Sequence, residues 1–210
     1  MIETEFERKH VIDVYSQISI HFNHTRYHIW PKVKEFINSM EVNSKVSDVG
    51  CGNGRNCLER QDELNYIGFE IVDNFIEISR SKGINVIKSN ILDIQSPDDI
   101  YDYTMCIAVI HHLDSEERRI KAIQELVRIT KPGGKILIYV WAKEQKKFSH
   151  YNDNSIMVPW KVIKTGEVYE RFYYLFENGE LETLVEKSNT DVKIIENGYQ
   201  RDNYYVIIQK

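Results

Sequence analysis

Cysteine is scarce in this chain of 210 residues, and none of the three, Cys51, Cys57 and Cys106, stands in a C-x-x-C pair. Neither a zinc site nor a disulfide framework is indicated, and reduced thiols are the default; no metal ligand set is assigned. Long apolar runs are missing as well: nothing approaches the roughly 20 residues that cross a bilayer, so no membrane association is expected. The N-terminal MIETEFERKH is charged rather than basic and then apolar, which does not suit a secretory signal. The resulting expectation is a cytoplasmic protein, with the nucleus also open. Internal repeats, low-complexity tracts and Gly/Ser linkers are absent too, so residues 1–210 read as one domain, with N-terminal helices and a lid over 1–44 and a core over 45–210. An excess of positive charge is the last absence. The net charge is −5, whereas a stand-alone nucleic-acid binder is usually basic; a nucleic-acid substrate would require a local basic surface or a partner's. One candidate surface runs from Lys143 to Lys164, where Lys146, Lys147 and Lys161 interleave with Phe148, His150, Tyr151 and Trp160. A solvated loop explains those lysines equally well.

What is present is enough to build a core, with 42% hydrophobic and 28% charged residues, a balance that excludes disorder. Val11, Val14, Tyr15 and Ile18 recur at helical spacing over residues 8–20, and a second helix begins at Pro31 and carries Val33, Phe36, Ile37 and Met40. Strand and helix then alternate. Strands are expected at 45–49, 66–70, 84–89, 103–110 and 135–141. The intervening helices are a short one after residue 54, one over 73–81 stopped by Gly83, and one N-capped by Asp114 with Glu117 completing a capping box. This alternation implies an α/β fold with a doubly wound, mostly parallel sheet. A helix near 180–187 follows. Segments 192–196 and 204–209, separated by the turn signal Asn197-Gly198, read as a C-terminal antiparallel hairpin.

The chemistry concentrates where the first strand ends. Asp48-Val49-Gly50-Cys51-Gly52-Asn53-Gly54 is a D-x-G-x-G-x-G loop, whose glycines permit a sharp turn and close ligand approach. The dinucleotide fingerprint G-x-G-x-x-G and the phosphate loop are both missing. Glu70 ends the next strand, where a carboxylate can accept from two ribose hydroxyls. Asp48 is placed to hold loop amides or an amino group. Two acids without a phosphate clamp suit a ligand carrying a ribose and a cationic amino group, S-adenosylmethionine.

At this point the chain resembles the class I S-adenosylmethionine-dependent methyltransferases. VSDVGCGNGRN (46–56) resembles the family's first motif, and AVIHHLDSEERRIKAIQELVRITKPGGKILIYVWA (108–142) its fourth-strand and fifth-strand region. Together with HFNHTRYHIWP (21–31), VPW (158–160) and RFYYLF (171–176), these are similar to the eukaryotic tRNA wobble-uridine carboxymethyl methyltransferases. The resemblance implies a Rossmann-like seven-stranded sheet. It also implies methyl transfer to the carboxylate of 5-carboxymethyluridine in the tRNA anticodon loop, and a heterodimer with a small zinc-binding activator. For the donor it implies contacts from Asp48, Gly50, Gly52, Gly54, Glu70, Asn90, Ile91 and Ala108. The chain departs from the family pattern at Asn90, where many relatives carry an acid, in an abbreviated loop after Trp141, and in tyrosine within DNYYVIIQK where tryptophan is common.

A carboxylate is already anionic at neutral pH, so its methylation requires no general base. The acceptor site should instead offer donors, of which Arg26 is the best clamp because a guanidinium matches a carboxylate's geometry. Tyr27 and His24 are its neighbours, while Trp30 is read as packing. His111 or His112 should face the pocket, His111 being favoured, and Trp141 could stack on the uracil or serve as core. One of Tyr173 and Tyr174 could reach the pocket. Arg118 and Arg119, like Glu59 and Glu63 on the short helix, are read as solvated, and Cys51 is not read as a nucleophile. Two other readings stay open: a methyltransferase of a small-molecule acid or quinone-like acceptor, and a non-catalytic subunit that keeps only the fold. A nicotinamide oxidoreductase is disfavoured by the loop spacing.

Overall fold

The computed structural model describes residues 2–210 apart from 27, 149, 163 and 164. Five strands, β1 (Lys45–Val49), β2 (Asn65–Glu70), β3 (Val86–Lys88), β4 (Tyr101–Ile107) and β5 (Thr130–Trp141), pair in parallel. β8 (Lys193–Gln200) and β9 (Asn203–Gln209) complete the sheet in the order β3-β2-β1-β4-β5-β9-β8, with β9 antiparallel to both β5 and β8. This is the expected seven-stranded, doubly wound sheet with a terminal hairpin. The strand order reverses between β1 and β4, and in such sheets ligands bind beyond the carboxyl ends at that reversal.

Strand β4 shows why the centre is apolar on both faces. Its neighbouring residues Met105 and Cys106 are fully buried but enter different core layers, because successive strand side chains point to opposite faces. Cys106 joins Ile123 and Leu126 of helix α5 (Glu116–Ile129) and Leu184 of α6 (Glu180–Lys187). Met105 joins Val33, Phe36 and Ile37 of α3 (Pro31–Asn38). Each such aliphatic or aromatic side chain contributes about 1.5–3 kcal/mol on burial. At the amino end, α1 (Glu5–Glu7) continues through a π-helical stretch, Arg8–Ile12, into α2 (Asp13–Thr25). Val14, Tyr15 and Ile18 of α2 pack on Val72 and on Phe75 of α4 (Asp73–Arg80). A separate antiparallel hairpin, β6 (Ser155–Lys161) with β7 (Val168–Tyr174), stands outside the expected alternation of strands and helices.

Four local expectations are corrected. The short helix after the glycine loop is only a 3-10 turn, Asn56–Leu58: Asn56 turns its amide to Asp48, and Arg60 adopts φ +55 while donating to the carbonyls of Ile37 and Met40. Glu59 and Glu63 therefore share no helix face; they pair with Lys34 and Arg60. β4 stops at Ile107 because Ala108 takes φ +62 and the chain enters a 3-10 turn, Ile110–His112. Ser115 rather than Asp114 caps α5, accepting from the Arg118 amide, while Asp114 accepts from Thr4 Oγ1 at 2.7 Å. The β8–β9 turn is Arg201-Asp202, both at positive φ. Gly198 lies within β8, where a Cβ would stand 2.8 Å from Tyr205 Oη, so close approach and not the turn requires glycine there.

Candidate active site

The carboxyl ends of β1, β2 and β4 open into a cavity of about 200 Å3. It is roofed by α2 and the segment after it and walled on the far side by β7. Gly50 turns the chain out of β1 at φ +73, and a Cβ there would meet Val109 Cγ2 at 2.4 Å. Gly52, at φ +55, would meet nothing within 4 Å, so the open side of the loop faces the cavity. Gly54 does not line it; its Cβ position is crowded by Ile84 and Ser79, giving this glycine a packing role.

The two acids are placed differently from the expectation. Asp48 is wholly buried and does not line the cavity. Its Oδ2 accepts from Asn56 Nδ2 at 3.3 Å and from the Cys57 thiol at 3.6 Å, and its Oδ1 has no partner among the described residues. Burial pushes its pKa up to about 6, against the lowering effects of those bonds and of Arg55. Glu70 does line the cavity, but three backbone amides already bind it: Gly52 N–H to Oε2 at 2.8 Å, and Ile71 and Val72 N–H to Oε1 at 2.8 and 2.9 Å. Burial raises its pKa and those amides lower it. Only Oε2 keeps an unused lone pair, so the carboxylate fixes the loop as well as offering a ligand acceptor. Asn90 and Ile91 line the cavity together with Ala108. The Asn90 amide oxygen accepts from Leu92 N–H at 2.9 Å. An open cradle at Gly52, the free lone pair on Glu70 and Arg55, which has no ion pair among the described residues, fit a donor with ribose hydroxyls and an amino-acid carboxylate.

Opposite the loop stands a second group of residues. His111 is fully buried, and its Nδ1 accepts from the Trp141 amide at 3.1 Å. The neutral ring therefore carries its proton on Nε2, which is buried with no partner among the described residues, while the residue lines the cavity. Burial, His112 and Arg171 hold its pKa well below the ordinary value. His112, adjacent in the 3-10 turn rather than on a strand, also lines the cavity. Its Nδ1–H donates to the Phe172 carbonyl at 2.8 Å, which leaves Nε2 to accept from Tyr15 Oη at 3.1 Å. Burial pushes the His112 pKa down to about 3. Tyr15 bonds Tyr173 at 2.8 Å, and Arg171 Nη1 donates to Tyr173 at 2.9 Å. Tyr173 thus faces the cavity, whereas Tyr174 packs over Arg119.

Arg26 lines the cavity with its guanidinium over Phe22 and Trp160, at 5.6 and 5.3 Å from the ring centres. Tyr27 lies outside the described residues. His24 is exposed and away from the cavity; Trp30 lines it and packs on Tyr139. Trp141 already stacks on Tyr173 at 4.2 Å and Phe148 at 5.7 Å, so a stacked uracil would have to displace one of those rings. Arg118 and Arg119 are not solvated. Arg118 pairs with Glu7, and Arg119 is buried, donating to the Leu113 carbonyl. The lysine surface is partly spent: Lys143 pairs with Glu177, and Lys147 lies over Trp141 and Phe148. Lys161 is exposed, and Lys164 lies outside the described residues. Burial raises the Cys51 thiol pKa well above its ordinary value, which agrees with its having no nucleophilic role.

Four residues of consequence were missed. Asn53 lies within the glycine loop and Arg55 follows it, Trp160 lies under Arg26, and Arg171 is 4% exposed with no ion pair among the described residues. A signal existed for the last: Arg171 and Tyr173 are two apart on β7 and so share a face, which places a cation on the buried side of an apolar strand.

The fold and this site define an S-adenosylmethionine-dependent methyltransferase. Residues 47–138 match the family described as "Methyltransferase domain". The structure titled as the DhpI-SAM-HEP complex superposes with a TM-score of 0.77 over 99% of this chain and 100% of that one, at 11% identity, which establishes the fold alone. At the same identity, the methyltransferase complexed with the Haloferax volcanii Trm112 activator gives 0.70 over 95% and 97%. Sequence carries the particular family. The chain is 36% identical over 231 aligned residues to the Schizosaccharomyces pombe tRNA (carboxymethyluridine(34)-5-O)-methyltransferase, covering 100% of both. It is 40% identical over 166 residues to the Arabidopsis thaliana protein of that name, covering 79% of this chain and 39% of that one. The chain belongs to the tRNA (carboxymethyluridine(34)-5-O)-methyltransferase family.

Proposed function

We propose that this chain transfers a methyl group from S-adenosylmethionine to the carboxylate of 5-carboxymethyluridine at the wobble position of tRNA, as the catalytic subunit of a complex with a small zinc-binding activator. When bound, the donor supplies an electrophilic methyl group on a sulfonium. Gly50, Gly52, Glu70, Asn90, Ile91, Ala108 and Arg55 hold it, with Asp48 and Gly54 shaping the loop from behind. His111, Arg26 and Arg171 orient the acceptor, and residues 21–31 act as its lid.

One observation carries the reading. The two histidines offer a neutral N–H and no free basic nitrogen beside Arg171 and Arg26: the unpartnered nitrogen of His111 bears the proton, the His112 nitrogen facing Tyr15 is already an acceptor, and the nearby carboxylate of Glu7 is held by Arg118. An amine or phenol acceptor would have to lose a proton, and a carboxylate does not. Alignment of the reacting atoms at about 3 Å is then the main requirement. The relatives' names support the tRNA substrate, and the solved activator complex of the same fold supports the partner.

The test is transfer of labelled methyl to tRNA bearing 5-carboxymethyluridine, with and without the activator. Transfer to that tRNA and not to unmodified tRNA is expected. No transfer even with the partner present would overturn the proposal.

A further inference from the structure

We propose that Arg171 is the residue that reads acceptor charge: it is a fixed counter-ion that admits a carboxylate, disfavours the corresponding amide and lets the neutral ester leave. This rests on the carboxylate-transfer reading above and names the determinant of its selectivity.

Arg171 is a buried cation surrounded by neutral groups. Its Nη1 donates to Tyr173 Oη at 2.9 Å and lies 3.4 Å from Tyr15 Oη, its guanidinium carbon sits 4.7 Å from the Trp160 ring centre, and its Nε has no partner among the described residues. The surrounding hydrogen bonds have one consistent direction. The Phe172 carbonyl fixes the proton on His112 Nδ1; His112 Nε2 then accepts from Tyr15, Tyr15 accepts from Tyr173, and Tyr173 accepts from Arg171. Each hydroxyl proton in that chain is committed, so none of its members supplies the missing negative charge. Burying an unpaired charge is costly, and the cost is offset when a ligand brings the counter-ion.

The cavity places a second unsatisfied donor beside it. His111 lines the same cavity, its buried Nε2–H has no partner among the described residues, and its ring lies 5.0 Å from that of Tyr173. Two donors with no protein acceptor match a group that only accepts, through two oxygens. An amide would turn its own N–H2 toward one of them. Arg26 shares the Trp160 ring from a half-buried position on the segment after α2, so it accompanies the acceptor, whereas Arg171 is fixed in β7.

The reaction removes the counter-ion. One carboxylate oxygen forms the bond to the methyl carbon as the carbon–sulfur bond breaks, the bonding pair leaves on sulfur, and no proton moves. Carboxylate and sulfonium charges disappear together. Arg171 is left unpaired again, which weakens retention of the ester.

The experiment uses the full chain with its activator and three anticodon stem-loops, carrying at the wobble position the carboxymethyl acid, its amide and its methyl ester. Competition binding is measured with S-adenosylhomocysteine bound. Wild type should prefer the acid over both others by about 10- to 100-fold, the range for a hydrogen bond to a charged group. Arg171→Met should reduce this preference to below about 3-fold while calorimetry shows S-adenosylhomocysteine still bound. Arg171→Lys should retain part of it, and Tyr15→Phe should give an intermediate preference. A wild type that binds acid and amide alike overturns the proposal, as does an Arg171→Met protein that binds the donor product and keeps the full preference. Should Arg171→Met not fold, an unaltered preference in both Arg171→Lys and Tyr15→Phe overturns it. Failure of methyl transfer with the acid preference intact counts against the proposed function and leaves the charge-reading role standing.

Discussion

Asp48 is an ionisable group that this structure destabilises in its charged form. It has no exposed surface, one oxygen without a partner, and a pKa pushed from the ordinary 3.8 up to about 6. At ~1.36 kcal/mol per pH unit, keeping it ionised at pH 7 costs the fold about 3 kcal/mol. Asp48→Asn removes the charge and keeps an acceptor for Asn56 and Cys57, though a weaker one by about 1 kcal/mol. The variant should therefore be more stable than wild type by about 2 kcal/mol at pH 7. The sign of the pH dependence follows from proton uptake: between pH 3.8 and about 6 the folded wild type binds more protons than the unfolded chain, so this group's contribution falls as pH rises through that window. The advantage of Asp48→Asn should accordingly shrink as pH is lowered from 6 to 4. Urea unfolding of both proteins at pH 7, 5.5 and 4.5 measures it. A variant less stable than wild type at pH 7, or a difference that does not change over this range, would refute the reasoning.

Gly50→Ala and Gly52→Ala should separate stability from binding. The first combines positive φ with a 2.4 Å clash against Val109 and should cost about 2–4 kcal/mol in urea unfolding; the second has room, costs about 1–2 kcal/mol, and should chiefly weaken donor affinity by calorimetry. Asn53 donates to Asn23 Oδ1 at 3.1 Å and to the Arg26 carbonyl at 2.9 Å, so Asn53→Ala should loosen the lid, raising the acceptor KM several-fold with little change in donor affinity. His112 has its pKa lowered from 6.5 to about 3; the folded state binds fewer protons in that window, so stability is lost as pH falls below 6.5. His112→Gln should flatten the stability profile between pH 4 and 6 by up to about 1.4 kcal/mol per pH unit.

The parallel core was legible because its signals are local. Lys45–Val49 and Glu180–Lys187 end where the sequence reading put them, and the glycine loop marked the ligand edge. Errors arose where tertiary contact overrides a local cue. Asn197-Gly198 has turn chemistry, yet the Tyr205 ring uses that glycine and the chain turns at Arg201-Asp202. Ile110 continues an apolar run, yet positive φ at Ala108 ends the strand and turns both histidines toward the cavity. Arg26 was found because it lies in a dense cluster of polar rings. Arg171 was not: its spacing to Tyr173 on β7 shows only that the two share a face, and its other partner, Tyr15, is 156 positions away.

That long-range chain also restricts the chemistry. It ends on a backbone carbonyl at Phe172 and on a guanidinium at Arg171, neither of which takes up a proton in the working pH range. Within this chain, a proton released by an amine or phenol acceptor would enter at His112 Nε2, and burial beside Arg171 holds that nitrogen to a pKa of about 3. His111 offers no alternative, since its only free nitrogen is a donor. The arrangement stabilises anions and stores no protons. It therefore suits a nucleophile that reaches the site already ionised and leaves it neutral.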